Sequence, residues 1–264
     1  MVWNTRSVHA DCQPVTITVP SRAALMEDLR AALAGGTGLS VATLNLDHVV
    51  KMRRNRAFAE AYARHSHVSA DGRPVVWLSR LAGQRADLVT GADLLEPLMA
   101  LAAETGTPVA LVGSTAAVLD PAADRLTSRH PGLSVVALIA PSMAFDPDST
   151  EGESVLSEIA ASGARIVILA LGAPRQEILA MRGSDLMPGV SFFSLGAAVD
   201  FVAGAQRRAP GWIQALALEW LWRLASNPGR LARRYGACAL LLPRLTLTAL
   251  SQRGEARARQ GDAL

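Results

Sequence analysis

The chain has 264 residues, half of them apolar, 19% charged, and a net charge of +3; disorder is excluded, and there is room for one large α/β domain or a domain with an appendage. No segment offers the roughly 18 to 20 consecutive uncharged apolar residues of a membrane span, and the N-terminal stretch around Asp11 has no apolar core of the signal-peptide kind. The two cysteines, Cys12 and Cys238, lie far apart without metal-ligand spacing, which reads as free thiols in a reducing, cytoplasmic compartment and suggests no zinc site.

The charge is uneven. From Phe201 to Leu264 there are 10 arginines against 3 acids, whereas residues 1 to 200 carry 16 bases and 20 acids. A basic tail of this kind suits an anionic partner: nucleic acid, anionic lipid or a pyrophosphate group.

Residues 1 to 15 are polar and carry no periodic pattern. Beyond them, short apolar runs alternate with amphipathic segments, the rhythm of repeated β-α units and a mainly parallel sheet. The pattern predicts strands over Leu39–Leu44, Pro74–Trp77, Pro108–Val112, Ser134–Ile139, Arg165–Leu171 and Ser191–Leu195. It predicts helices over Arg22–Ala34, His48–Arg64, Ala92–Glu104, Thr115–Ser128, Ser149–Ala161 and Arg175–Met181. After Arg208 the character changes. Trp212, Leu216, Trp220 and Leu224 recur at four-residue intervals, Asn227-Pro228-Gly229 interrupts them, and a basic helix is expected around Arg230–Tyr235. The apolar run from Ala237 to Leu250 is expected to break at Pro243 and Arg244, giving an interfacial or membrane-facing appendage rather than a span. The chain thus divides into residues 1–209, an α/β domain, and 210–264, a helical appendage.

Several predicted strands end in polar turns, so polar groups should converge at one edge of the sheet. Thr43 and Asn45, two residues apart, project on one side if the chain there is extended; Asn45 serves equally as a helix cap. Asp71, before Gly72 in a sharp turn, is a carboxylate able to act as a general base, although Asp-Gly is also a common turn dipeptide. Thr90-Gly-Ala-Asp93 either lines a pocket or caps the next helix.

Val109-Ala-Leu-Val-Gly-Ser-Thr115 looks like a nucleotide-binding strand and turn around Gly113. It has neither a G-x-G-x-x-G fingerprint nor a phosphate-loop lysine, which argues against a nucleotide-dependent oxidoreductase. The most informative stretch is Leu169-Ala-Leu-Gly-Ala-Pro-Arg-Gln-Glu177, a buried strand that turns at Gly172 and opens a helix at Pro174, with the Gln176 amide directed to the crevice. Asp200 either accepts hydrogen bonds from a ribose or holds a turn. The residues suggest no site for a divalent metal, so a metal-independent mechanism is the simpler assumption. Arg223, Arg230 and Arg233 are spaced by seven and three, so a bent helical hairpin can direct guanidinium groups to one anion. Because arginine is almost the only base used, composition alone also accounts for such a run.

Taken in order, these pieces resemble the WecG/TagA/CpsF family of bacterial glycosyltransferases, glycosyltransferase family 26. The elements are Thr43-x-Asn45, Ala70-Asp-Gly72, Val89-Thr-Gly-x-Asp93, Leu111-Val-Gly113, Gly172-Ala-Pro-Arg-Gln-Glu177, Gly196-x-x-x-Asp200, Arg208-Ala-Pro-x-Trp212 and Leu218-Glu-Trp-Leu-Trp-Arg223. Each is short; their order and spacing together are specific. The resemblance implies a Rossmann-like α/β fold with a C-terminal appendage that meets the membrane. It implies an inverting transfer, without metal or cofactor, of a sugar from a UDP-activated donor to an undecaprenyl-diphosphate-linked saccharide. By motif position Asp71 matches the family's proposed base, Thr43 and Gln176 polar residues beside the reacting sugar, and Arg223, Arg230 and Arg233 arginines that engage a diphosphate. Asn45, Thr90, Asp93, Gly113, Gly172, Pro174 and Asp200 complete the expected binding set, and nucleic acid is not an expected partner. One departure is local: Leu-Asp-His48 follows Asn45 where many relatives carry Pro-Glu or Ala-Glu, which suggests a different donor or acceptor subgroup. Outside the resemblance, the competing reading is a non-catalytic module that binds membranes or nucleic acid through the basic tail.

Overall fold

The structure is a computed structural model and describes residues 1–4, 13–206, 209–210, 213, 219–226 and 228–261. Strands β1 (Ser40–Leu44), β3 (Val109–Gly113) and β5 (Ile166–Ala170) are buried at every position, polar Ser40 and Thr43 of β1 included, as strands of a parallel sheet must be when helices cover both faces. With β2 (His67–Ala70), β4 (Val135–Ile139) and β6 (Ser191–Ser194), they form a six-stranded, all-parallel sheet in the order β2-β1-β6-β5-β3-β4.

One face carries α1 (Arg22–Ala34), α5 (Gly91–Thr105), α6 (Ala116–Arg129) and α9 (Ala198–Ala203), packed around Val41, Leu111, Ile168 and Phe193. On the other, α7 (Thr150–Ser162) and α8 (Arg175–Leu186) cover Val167, Leu169 and Phe192. Toward the β1–β2 edge, α2 (Leu46–Met52), α3 (Arg56–Arg64) and α4 (Arg73–Leu81) bury Ala42, Leu44, Val68 and Ala70. This arrangement is the parallel α/β architecture that the alternating pattern predicts and the Rossmann-like fold that the resemblance implies, with α10 (Glu219–Ser226) and α11 (Pro228–Gly261) following it.

Three expectations are corrected. The segment Pro74–Trp77 is the first turn of α4, not a strand. Four apolar residues are too few to distinguish the two periods; Gly72, at φ 102°, turns the chain, Pro74 needs no donor in a first turn, and the buried Val75, Val76, Leu78, Ser79 and Ala82 follow helical spacing. The strand in that region is β2, four residues long with polar His67 and Ser69, held by pairing with β1 rather than by its own pattern. Asp71 therefore follows a strand instead of preceding one.

The expected helix His48–Arg64 is two, because Asn55 accepts the Phe58 N–H at 2.9 Å and starts α3 afresh. Nor does Pro243 break the last helix: α11 runs through it. Pro243 lies on the exposed side, while Leu241, Leu245 and Ala249 are buried in the core cluster beneath α2 and α4. Burying two leucines contributes about 3 to 6 kcal/mol, which offsets the ~3 kcal/mol that an interior proline costs.

Candidate functional site at the carboxyl edge of the sheet

Since every strand runs the same way, their carboxyl ends share one edge. The chain leaves β3 toward the edge strand β4 but leaves β5 in the opposite direction, toward β6. Neighbouring strands that diverge in this way open a crevice between them. At its mouth Gly113 has φ 117°, and a Cβ there would stand 2.5 Å from the Ala170 carbonyl carbon, so only glycine lets the two turns approach. The next residue, Ser114, is the one non-glycine with positive φ (55°) among the described residues. Its hydroxyl donates to Asp200 Oδ1 at 3.0 Å, tying the turn after β3 to α9 after β6.

The turn after β5 is held from within. Pro174 is the N-cap residue of α8, and Gln176, only 2% exposed, folds back over the turn. Its Oε1 accepts the backbone N–H groups of Gly172 and Gly196, each at 3.1 Å. The amide thus joins the turns after β5 and β6 instead of pointing free into the crevice. Its Nε2 donates to Glu177 Oε1 at 2.9 Å. Glu177 is fully buried, and its other carboxyl oxygen has no hydrogen-bond partner among the described residues. Burial pushes this carboxyl up to about 7, against the opposing hydrogen bond from Gln176 and the charge of Lys51.

The other half of the edge is built on β1 and β2. Thr43 is buried at 4% exposure and pairs in register with Ser69, whose hydroxyl donates to the Val89 carbonyl at 2.9 Å. Asn45 is extended, as its spacing from Thr43 requires, and caps α2 by accepting the His48 N–H at 3.0 Å. The Asp71 N–H donates to the Leu44 carbonyl at 2.8 Å, drawing the turn after β2 against the end of β1. Val89 N–H donates to the Ala70 carbonyl at 2.9 Å, which carries Thr90 to the same edge. Thr90 accepts the Asp93 N–H and donates to its carboxylate at 2.8 Å. A Cβ on Gly91 would meet the Leu195 carbonyl oxygen at 2.7 Å, so α5 starts directly on the end of β6.

The edge therefore gathers Thr43, Asn45, Asp71, Thr90 and Asp93 at one end and Gly113, Gly172, Pro174 and Asp200 at the other, with Gln176 fastening the turns of β5 and β6. Strand spacing of about 4.8 Å makes this line roughly 19 Å from β2 to β3. Arg233 is exposed on α11. The side chains of Arg223 and Arg230, together with Arg208, Trp212 and Leu216, lie outside the described residues, as does Cys12. Cys238 is a buried free cysteine whose thiol burial pushes up to about 11. Among the described residues, no three His, Cys, Asp or Glu side chains are grouped to hold a metal ion, and no helix is long and apolar enough to cross a membrane.

Several residues of this region carry no strong sequence signal. His48 is buried, its Nδ1 lies 2.9 Å from the Tyr62 hydroxyl, and its ring stacks edge-on to Phe58 and Tyr62. Burial, helped by the Lys51 charge, lowers its pKa to about 3, so the ring is neutral. Tyr62, also buried, is held well above its ordinary value by burial and by the charges of Glu177 and Asp71. Lys51 donates to the Ala173 carbonyl at 3.0 Å, inside the turn after β5. Its one cue in the sequence is its rarity: Lys51 is the sole lysine among 26 Lys and Arg residues.

This edge, with its glycine turns and its row of polar side chains, belongs to a chain of which residues 11–259 match the model of the glycosyl transferase WecG/TagA/CpsF family. The match spans all six strands and nearly the whole of α11. The protein is a member of the WecG/TagA/CpsF family of glycosyltransferases.

Proposed function

We propose that this glycosyltransferase takes a sugar from a UDP-linked donor and passes it, with inversion and without a metal ion or cofactor, to an undecaprenyl-diphosphate-linked saccharide. The transfer serves cell-surface polysaccharide synthesis, of the exopolysaccharide, capsule or teichoic acid type. Glucose, N-acetylmannosamine and its uronic acid are the candidate donor sugars.

The observation that carries this reading is the proximity of the Asp71 turn to the end of β1, through the Asp71–Leu44 hydrogen bond. In the proposed reaction the Asp71 carboxylate takes the proton of an acceptor hydroxyl as that oxygen attacks the anomeric carbon. The bond from that carbon to the diphosphate breaks, its electron pair leaves on UDP, and the configuration inverts. Thr43 and Asn45 flank the reacting sugar, with Thr90 and Asp93 beside them. The turns at Gly113 and Gly172, fastened by Asp200 and Gln176, accommodate the nucleotide at the diverging strands. Arg223, Arg230 and Arg233 supply positive charge to the departing diphosphate or to that of the lipid.

The outer side of α11 supports a site of action at the inner face of the cell membrane. Leu240, Leu247 and Leu250 are exposed at spacings of seven and three, with Arg233 and Arg244 exposed on the same helix. An apolar stripe flanked by arginines suits a surface of anionic lipid. The reading is tested by Asp71→Asn: turnover is lost while the fold and UDP binding persist. Near-normal turnover in that variant removes Asp71 from the mechanism.

A further inference from the structure

A chain of polar contacts runs from the last helix to the turn after β5. Arg234 of α11 donates twice to Asp47 of α2, from Nε to Oδ1 at 3.0 Å and from Nη2 to Oδ2 at 2.6 Å. Asp47 Oδ2 also pairs with Lys51 one helical turn on, at 3.0 Å. The Lys51 ammonium then donates to the Ala173 carbonyl at 3.0 Å.

These contacts centre on one mostly buried carboxylate, with the Arg234 and Lys51 side chains 43% and 34% exposed. The Asp47 side chain is 13% exposed, whereas both partners of the Arg56–Glu60 pair are about half exposed. Burial alone would raise the Asp47 carboxyl, but Arg234 and Lys51 outweigh it and leave it below its ordinary value. Apolar packing follows the same route, because Ala173 rests on the cluster that buries Leu241, Leu245 and Ala249 of α11. The choice of side chain is also informative. A compact ammonium can serve a carboxylate and a carbonyl at once, while a guanidinium engaged by a carboxylate holds a planar fork. In a chain whose other 25 Lys and Arg residues are all arginine, lysine stands at this one position.

We propose that Asp47 is a positioning residue that links the seating of α11 to the conformation of the Gly172–Pro174 turn through Lys51. With α11 seated, Arg234 fixes Asp47, Asp47 directs Lys51, and Lys51 holds the Ala173 carbonyl. With α11 lifted, Lys51 loses its orienting partner and the turn loosens. The helix that faces the lipid acceptor thereby sets the order of the turn that receives the donor. This last consequence rests on the proposed function; the link itself does not.

The test uses the full chain with Asp47→Asn, Arg234→Gln, Lys51→Met and the conservative Asp47→Glu, each checked for a wild-type circular dichroism spectrum. Hydrogen exchange of the segment 171–177 is measured without ligand. Asp47→Asn, Arg234→Gln and Lys51→Met should each speed that exchange about tenfold, the scale of one lost charge-assisted hydrogen bond. Asp47→Glu should leave it unchanged. In the Asp47→Asn background, either further substitution should add nothing, because the link is already cut. Wild-type exchange in Arg234→Gln, or independent addition of the three effects, overturns the proposal. In turnover assays the same three variants should raise the donor KM about tenfold, with kcat changed less than about twofold. A wild-type enzyme that turns over no UDP-sugar contradicts the proposed function and leaves the exchange measurement to decide the link.

Discussion

Gln176 and Glu177 act as one buried unit: the Gln176 amide donates to the Glu177 carboxyl at 2.9 Å, and this fixes the amide oxygen toward the N–H groups of Gly172 and Gly196. Two glycine turns at the strand ends are thus set by a side-chain pair behind them. A buried carboxyl whose second oxygen has no hydrogen-bond partner among the described residues is a costly way to orient an amide, and it leaves a measurable trace in the stability of the protein.

The folded-state pKa of Glu177 is raised to about 7 from 4.5. The native state then holds this proton after the unfolded chain has released it, so the stability contribution is full below about pH 4.5 and declines up to about pH 7. Glu177→Gln removes this slope while keeping the hydrogen bond to Gln176. Thermal unfolding of both proteins from pH 4.5 to 7.5 should show the wild type losing stability relative to the variant as pH rises. Parallel curves contradict the assignment.

His48 and His65 respond in the opposite sense. Burial lowers their pKa values to about 3 and about 4, so each is neutral in the native state at pH 5. Their contribution is present above the unfolded value of 6.5 and is lost as pH falls toward those folded values. In NMR spectra the two rings should keep their neutral-form shifts from pH 8 to pH 5. A midpoint near 6.5 for either ring refutes the neutral assignment.

Much of this arrangement is legible in the sequence, and the reason is local. The unbroken apolar runs of β3 and β5, the mostly apolar β1 and the motif from Gly172 to Glu177 announce buried strands and a strand-to-helix turn within a few residues. β2 is hidden because His67 and Ser69 interrupt its pattern and its order comes from β1. The run Pro74–Trp77 is too short to fix its own period. What the sequence conceals most is pairing at a distance: Lys51 meets Ala173 across 122 residues and Arg234 meets Asp47 across 187. Gln176 stands out as polar in its motif, but the two N–H groups that it accepts become visible only when β5 and β6 lie side by side.

Gly113 should tolerate no side chain. Gly113→Ala adds a Cβ 2.5 Å from the Ala170 carbonyl carbon at φ 117°. Strain at such a φ costs about 1 to 3 kcal/mol before the clash is counted, so urea unfolding should register a loss of at least about 2 kcal/mol. A loss below about 0.5 kcal/mol shows that the turns after β3 and β5 can separate without cost.

For the outer face of α11, Leu240→Glu with Leu247→Glu tests membrane association without touching the core, since the two leucines are 85% and 68% exposed. Stability should change by no more than about 0.5 kcal/mol per site, while sedimentation with anionic vesicles falls sharply. Undiminished sedimentation places the membrane contact elsewhere.

The central claim is that this chain transfers a sugar from UDP to a lipid-linked acceptor. UDP release is to be followed for UDP-glucose, UDP-N-acetylglucosamine, UDP-N-acetylmannosamine and its uronic acid, with chelator present and with or without short-chain prenyl-diphosphate saccharides. The expected result is release from one donor that depends on the acceptor and persists with chelator. No release from any donor, together with no binding of UDP, contradicts the account and favours a module that only binds.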